Sequence, residues 1–362
     1  MIESLKIKNF RCFSELEVPG IKPLTIISGK NNIGKSSVLE ALFFMYDHGN
    51  GSPFLKMNRV RGEMANRSIY NTWESVFHNM DTDVPIEIEM NIDGITSILR
   101  FVKENIALLN LAKDVENSVQ TVDFLSNMSS YALKMTYERD DYKEEADYIY
   151  VPGMEQTQIV KEPSYKRGGE KTSKEQMGNM VYLANTNIRN DADLVDLFSK
   201  LEMNNAKSDL LRILKIIDSE ISDVSVLSSN GVVQLYVKKN GITMPFRYAG
   251  DGILKLLDIS LRILAQPGCV LLVDEIENGL HYSSLKELWT VIAEAAKINN
   301  CQIIATTHSY EIINASAVGA ANSGREDDYS YIRLERRGDE IMALDYNHED
   351  MVEALEAELE VR

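Results

Sequence analysis

The chain has 362 residues, room for one large domain or two ordinary ones with a sizeable core. Its 38 basic and 55 acidic residues leave a net charge of −17, which disfavours broad, nonspecific affinity for nucleic acid but allows a local basic patch. Hydrophobic residues at 44% exclude a disordered chain, and no apolar run approaches the roughly 18 residues needed to span a bilayer. The opening Met1 to Phe10 lacks the apolar stretch of a secretory leader. Cys12, Cys269 and Cys301 are scattered and form no CxxC, so the expected setting is a reduced cytoplasm without membrane contact.

In chain order, Ile2 to Val18 alternates apolar and polar residues and predicts two strands turning at Asn9-Phe10-Arg11. Leu24 to Ser28 is an apolar run of the kind found in central strands. After the loop Gly29 to Lys35, the spacing of Val38, Leu39, Leu42, Phe43 and Met45 predicts a helix over Ser36 to Tyr46. Gly49, Gly51 and Pro53 mark a loop, and Trp73, Val76 and Phe77 suggest a short helix. Ile86 to Met90 and Ile95 to Val102 alternate across Asp93-Gly94, a hairpin turn. Further strands are expected at Ala132 to Tyr137 and Tyr148 to Val151, then a polar loop from Lys161 to Gly178. Asp191 to Leu201 and Ser208 to Ile217 read as helices, and Ser222 to Leu227, Val232 to Lys238 and Thr243 to Arg247 as strands. The last third alternates: helix Ile253 to Leu264, strand Cys269 to Val273, helix Ser283 to Ile298, strand Gln302 to Thr306. A hairpin, Tyr329 to Glu335 with Ile341 to Tyr346, and an acidic helix, Asp350 to Glu360, complete an α/β pattern.

Gly29-Lys30-Asn31-Asn32-Ile33-Gly34-Lys35-Ser36 fits G-x-x-x-x-G-K-[ST], between an apolar strand and an amphipathic helix. The glycines let the backbone curl so that N–H groups face phosphate oxygens, and the helix adds its positive end. Lys35 is placed to reach the β- and γ-phosphates, and the Ser36 hydroxyl to ligate Mg²⁺. The strand Cys269 to Val273 ends in Asp274-Glu275. There Asp274 can hold Mg²⁺ and Glu275 can polarise a water aimed at the γ-phosphate. The strand Ile303 to Thr306 delivers Thr307 and His308 to the same sheet edge, where His308 can donate to the γ-phosphate. His48, His78 and His348 have no such context.

These elements, in this order, resemble the ABC-class ATPase heads, which include SMC-like, RecF-like and OLD-family proteins. Tyr248-Ala249-Gly250-Asp251-Gly252 stands where the class has its signature loop, and Asn278-Gly279-Leu280-His281 where it has its D-loop. Both have OLD-like (AAA15-type) wording, unlike the LSGGQ of transporters. Leu5 to Phe13 and Gly29 to Ser37 also resemble OLD, RecF and SMC heads. The resemblance implies an ABC-type P-loop head, a mixed sheet with flanking helices. Its core is expected at residues 1–50 and 240–362, with an insertion at 51–239 whose helical lobe falls at about 185–220. It implies ATP and Mg²⁺ held by Gly29, Asn31, Asn32, Gly34, Lys35, Ser36, Ser37 and Asp274, with Glu275 and His308 catalytic. Gly250, Asp251, Gly252 and Asn278 complete the nucleotide site, the signature glycines coming from a second copy.

Three functional readings follow. The insertion has no heptad arms, which excludes a long SMC protein. OLD nucleases add a metal-binding TOPRIM domain, but 362 − 308 = 54 residues follow His308 and carry no D-x-D, so nuclease chemistry is not expected in this chain. The first reading is a dimeric sensor ATPase controlling a separate nuclease or toxin, as in anti-phage systems of the PARIS, Septu, Gabija and retron types. The second is a RecF-like ATPase on duplex DNA, with Lys6, Lys8 and Arg11 or Lys56, Arg59, Arg61 and Arg67 as contact surfaces. The third is an ATP-dependent assembly scaffold with little turnover.

Overall fold

A computed structural model describes residues 1–48, 74–105, 131–150, 158–159, 179–184, 191–229 and 231–357. Strands β1 (Ile2–Phe10) and β2 (Phe13–Val18) form the expected hairpin, with Asn9 and Arg11 in the left-handed region at φ 51° and 54°. Strand β3 (Leu24–Gly29) leads into helix α1 (Lys35–Asp47). Strands β4 (Ile86–Ile92), β5 (Ile95–Asn105), β6 (Tyr131–Arg139), β7 (Tyr142–Tyr150), β8 (Gln158–Ile159) and β9 (Met180–Leu183) come next. Helices α2 (Asp191–Met203) and α3 (Lys207–Ile217) precede β10 (Ile221–Ser229), β11 (Val232–Lys239) and β12 (Ile242–Pro245). The remainder is α4 (Asp251–Ala265), β13 (Val270–Val273), α5 (Leu285–Ile298), β14 (Gln302–Thr306), α6 (Tyr310–Asn322), β15 (Tyr329–Arg337), β16 (Glu340–Tyr346) and α7 (His348–Glu356).

The strands make a seven-stranded sheet β2-β1-β4-β5-β6-β7-β8, a three-stranded sheet β10-β11-β12, and a six-stranded sheet β16-β15-β3-β14-β13-β9. In the last, β15, β3, β14, β13 and β9 are parallel and β16 is an antiparallel edge. Alternation along its strands splits the core in two. Leu24, Ile26, Leu271, Val273, Ile303, Ala305, Tyr329 and Tyr331 face the side of α4, α5 and α6. Ile27, Val270, Leu272, Ile304, Ile332 and Leu334 face α1 and, beyond it, the seven-stranded sheet. Helix α1 is therefore clamped between two sheets, and even Glu40 and Asp47 are buried at 1% and 4% exposure. Glu40 is answered by Arg11, whose Nε donates to Glu40 Oε2 at 3.0 Å.

The first hairpin pairs with later strands as well as with itself. Strand β1 lies antiparallel to both β2 and β4, so one sheet runs across the expected boundary at residues 50/51. The end of β1 is also tied to β14. Ile2 N–H donates to Gln302 Oε1 at 2.9 Å, and Gln302 Nε2 donates to Ile2 O at 2.8 Å.

Some elements differ from expectation. The helix suggested by Val76 and Phe77 is a 3₁₀ turn at Glu74–Val76, because its backbone is used by the hairpin: Arg11 N–H donates to Val76 O at 2.7 Å. Trp73, the loop at 161–178, residues 185–190 of the helical lobe, and Lys56, Arg59, Arg61 and Arg67 lie outside the described residues. Strand β12 stops at Pro245, and Phe246–Tyr248 tightens into a 3₁₀ turn that buries Phe246. Helix α6 was not foreseen. It packs on α5 through small residues, and a Cβ at Gly319 would lie 2.7 Å from the Trp289 Cβ. Among the described residues no helix is long and apolar enough to cross a membrane.

Candidate functional site

Strand β3 is buried at all 6 positions and delivers Gly29 to the C-terminal edge of the parallel sheet. There the chain must turn sharply into α1. Gly29 sits at φ 142° and Gly34 at φ 103°, a region that disfavours side chains. Space closes the argument: a Cβ at Gly34 would lie 2.4 Å from Cys12 Sγ, and one at Gly29 2.6 Å from the Leu334 carbonyl oxygen. Ile33 is buried as the plug of the loop, while Lys30, Asn31 and Asn32 are exposed on its rim. Ser37 is buried near the Cys12 thiol. Lys35 folds back, its ammonium donating to Gly29 O at 2.9 Å and Lys30 O at 3.1 Å. Burial lowers the Lys35 pKa, and Glu275, Glu277 and Asp274 act in the opposite sense.

Strand β13, buried at all 4 positions, places Asp274 beside the loop. Asp274 Oδ1 accepts from Ser36 Oγ at 3.0 Å and from Thr306 Oγ1 at 2.5 Å. Burial pushes the Asp274 carboxyl up, and the two hydroxyl donors pull it back. Ser36 and Asp274 thus form an all-oxygen donor pair of the hard type Mg²⁺ takes. Their oxygens lie 3.0 Å apart beside the phosphate loop, so the donor set fits the ion. Glu275 lies at φ 45°. Its N–H donates to Thr306 Oγ1 at 2.9 Å, and its Oε2 accepts from Asn278 Nδ2 at 2.9 Å. Lys255 on α4 donates to the carbonyls of Asp274 and Glu275 at 2.9 and 2.6 Å.

His308 reaches the same edge from β14, with its side chain 52% exposed. Its backbone N–H donates to Glu277 Oε1 at 2.8 Å, and its Nδ1 lies 2.7 Å from the same oxygen. Gly250, at φ 102°, caps α4, and Asp251 is exposed. Gly252 is different. A Cβ there would lie 1.8 Å from the Gly279 carbonyl oxygen, so the loop at 248–252 and the turn at 278–281 pack backbone to backbone.

The structure therefore brings Lys35, Ser36, Asp274 and Glu275 into one cluster, puts His308 at the same edge, and sets Gly252 against Gly279. Sequence reasoning missed Thr306, Lys255 and Glu277. Thr306 and Glu277 each lie two residues from a residue that was singled out, a signal that local reading could have used.

The other candidates have structural partners. Lys6 pairs with Glu15 at 3.2 Å, Lys8 with Glu87 at 3.0 Å, and Arg11 with the buried Glu40. His48 stacks on Tyr137 at 3.9 Å, His78 Nδ1 lies 3.1 Å from Arg11 O, and His348 Nε2 lies 3.0 Å from Ala317 O.

A phosphate loop before a helix, with an acidic strand end and a histidine-bearing strand beside it, defines an ATPase domain of the ABC class. The chain belongs to the family described as "AAA domain, putative AbiEii toxin, Type IV TA system", whose pattern matches residues 24–314. The ATP/GTP phosphatase of Helicobacter pylori is 26% identical over 327 residues, 86% of either chain. The OLD nuclease of Thermus scotoductus is 22% identical over 364 residues, which cover 92% of this chain and 65% of that protein. Among solved structures, the SMC head bound to the C-winged helix domain of ScpA has the same fold, with a TM-score of 0.51 at 14% identity over 97% of this chain and 99% of that one.

Proposed function

We propose that two copies of this chain clamp ATP and Mg²⁺ between them, and that the hydrolytic cycle regulates a separate effector, a nuclease or toxin, in anti-phage defence. One observation carries the catalytic part. Ser36 and Asp274, 238 residues apart in sequence, share a hydrogen bond at the mouth of the phosphate loop. These two residues would hold Mg²⁺, which would supply charge neutralisation on the phosphates. Lys35 exchanges its carbonyl partners for β- and γ-phosphate oxygens. Gly29, Asn31, Asn32, Gly34 and Ser37 shape the loop whose N–H groups face the phosphates.

Glu275 accepts a proton from water as the water oxygen bonds to the γ-phosphorus. The bond from that phosphorus to the β–γ bridging oxygen breaks, and its electrons leave on ADP. Asn278 orients the Glu275 carboxylate, and His308 donates to a γ-phosphate oxygen. The exposed loop with Gly250 and Asp251 faces the nucleotide of the second copy, which makes the site composite.

The effector part is supported by the family's description, which includes a toxin–antitoxin system, and by the Thermus relative's name, a nuclease. In this reading nuclease chemistry belongs to the partner. The test is direct. Glu275→Gln is expected to cut turnover by about 10²–10⁴-fold and to accumulate an ATP-bound dimer on sizing columns, while Lys35→Ala abolishes nucleotide binding. Wild-type turnover in Glu275→Gln refutes the catalytic assignment. Co-purification with the products of neighbouring genes, with and without ATP, tests the effector.

A further inference from the structure

Lys255 lies on α4, 255 − 250 = 5 residues beyond the signature glycine Gly250. Its side chain is buried, and its ammonium donates to the carbonyls of Asp274 and Glu275 at 2.9 and 2.6 Å. Burying an ammonium is costly, and a short polar side chain could cap a carbonyl at less expense. What these bonds hold is a strained turn. Glu275 is a non-glycine residue at φ 45°, and such backbone persists where its surroundings over-determine it.

Three groups do so. Thr306 accepts from the Glu275 N–H, Asn278 donates to its carboxylate, and Lys255 donates to its carbonyl. Thr306 ends β14, and Asn278 belongs to the turn itself. Lys255 comes from the helix that opens with Gly250-Asp251-Gly252. The contact between Gly252 and Gly279 ties the same helix to the same turn a second time.

We propose that Lys255 is the positioning residue that aims the Glu275 carboxylate, and that through it the position of α4 sets the pose of Glu275. Engagement of one chain's signature loop by a second copy then reports directly on that chain's own acidic pair. The inference rests on the hydrolytic role proposed for Glu275.

Lys255→Met keeps most of the side-chain stem and removes the donor. It is expected to lower kcat by about 100-fold while the dissociation constant for a fluorescent ATP analogue and the thermal midpoint stay near wild type. Lys255→Arg, which keeps a cationic donor, is expected to restore much of the rate. Should Lys255→Met fold poorly, Lys255→Leu removes the donor behind a different apolar stem for the same measurements. A kcat within about threefold of wild type in a folded, donor-deficient variant, a loss of about 0.7 kcal/mol or less, overturns the proposal. So does, in a folded variant, a parallel fall of kcat and affinity, or an Arg variant no better than Met. Glu275→Gln, measured alongside, separates the two levels. If it turns over normally, the hydrolytic reading fails; if it is inactive while Lys255→Met is normal, the Lys255 inference alone fails.

Discussion

Replacing Gly252 with alanine adds one methyl group where α4 meets the turn after the acidic pair. The new Cβ would lie 1.8 Å from the Gly279 carbonyl oxygen and 2.5 Å from its carbonyl carbon. Real contacts of this kind begin at 3.0 Å, so the two backbones must part by at least 3.0 − 1.8 = 1.2 Å. Gly279 has little freedom to yield. It sits at φ 81°, and the place of its own Cβ is taken by Gly252 N at 2.5 Å. Overpacking of this kind costs about 1–3 kcal/mol, enough to lower the thermal midpoint by several degrees. A displacement near 1 Å at a working site can cost roughly 100-fold in rate. Gly250→Ala is the control. Its Cβ would meet nothing within 4 Å, so only the strain at φ 102° remains, about 1 kcal/mol. Thermal unfolding without nucleotide and steady-state phosphate release read the two effects. Unchanged midpoint and rate in Gly252→Ala, or an equal loss of stability in Gly250→Ala, refutes the packing argument.

Two further outcomes follow from the charges at the site. Burial holds the Asp274 carboxyl above its ordinary value, so ionising it costs more in the folded chain than in the unfolded one. That penalty is absent below the ordinary carboxylate range, grows as pH rises through the raised value, and is complete above it. Asp274→Asn is therefore expected to be more stable than wild type at neutral pH without nucleotide, the gap closing as pH falls, while Mg²⁺-dependent nucleotide binding is lost. Denaturant titrations from pH 4 to pH 8 would show no such gap if the carboxylate were not under strain. Glu277→Gln keeps an acceptor for the His308 N–H but removes the charge beside its ring. The expected result is a fall in kcat of about tenfold with ATP affinity unchanged, and a matching loss of affinity would point to simple unfolding.

Local patterns carried much of this molecule. The phosphate loop, the Asp93-Gly94 hairpin and the apolar strand ending in Asp274 are encoded within short windows, and Ser36 and Asp274 each stand in one of them. What local reading missed depends on partners far away in the chain. Strand β9 is 4 residues long and acquires meaning only beside β13. Helix α6 is written in small residues whose purpose is a close approach to Trp289. The antiparallel pairing of β1 with β4 spans a segment that no periodicity connects. Arg11 read as a surface cation because its partner, Glu40, sits on a helix clamped between two sheets. Lys255 carried no signal of its own, since its bonds are to main-chain carbonyls and any acidic pair could have filled that place.

The stitch between Ile2 and Gln302 has a consequence for how the protein is made. Strand β3 has β14 and β15 as its sheet neighbours, and both belong to the last fifth of the chain. On a ribosome adding about 5–20 residues per second, the 300 residues between Ile2 and Gln302 take about 15–60 s to appear. The antiparallel hairpins can zip up as they emerge, but Leu24 and Ile26, which face the late helices α4, α5 and α6, must wait with their apolar side uncovered. A stalled or truncated nascent chain is left holding a sticky, unpaired ribbon, the state that chaperones capture and that neighbouring copies on a polysome would exploit.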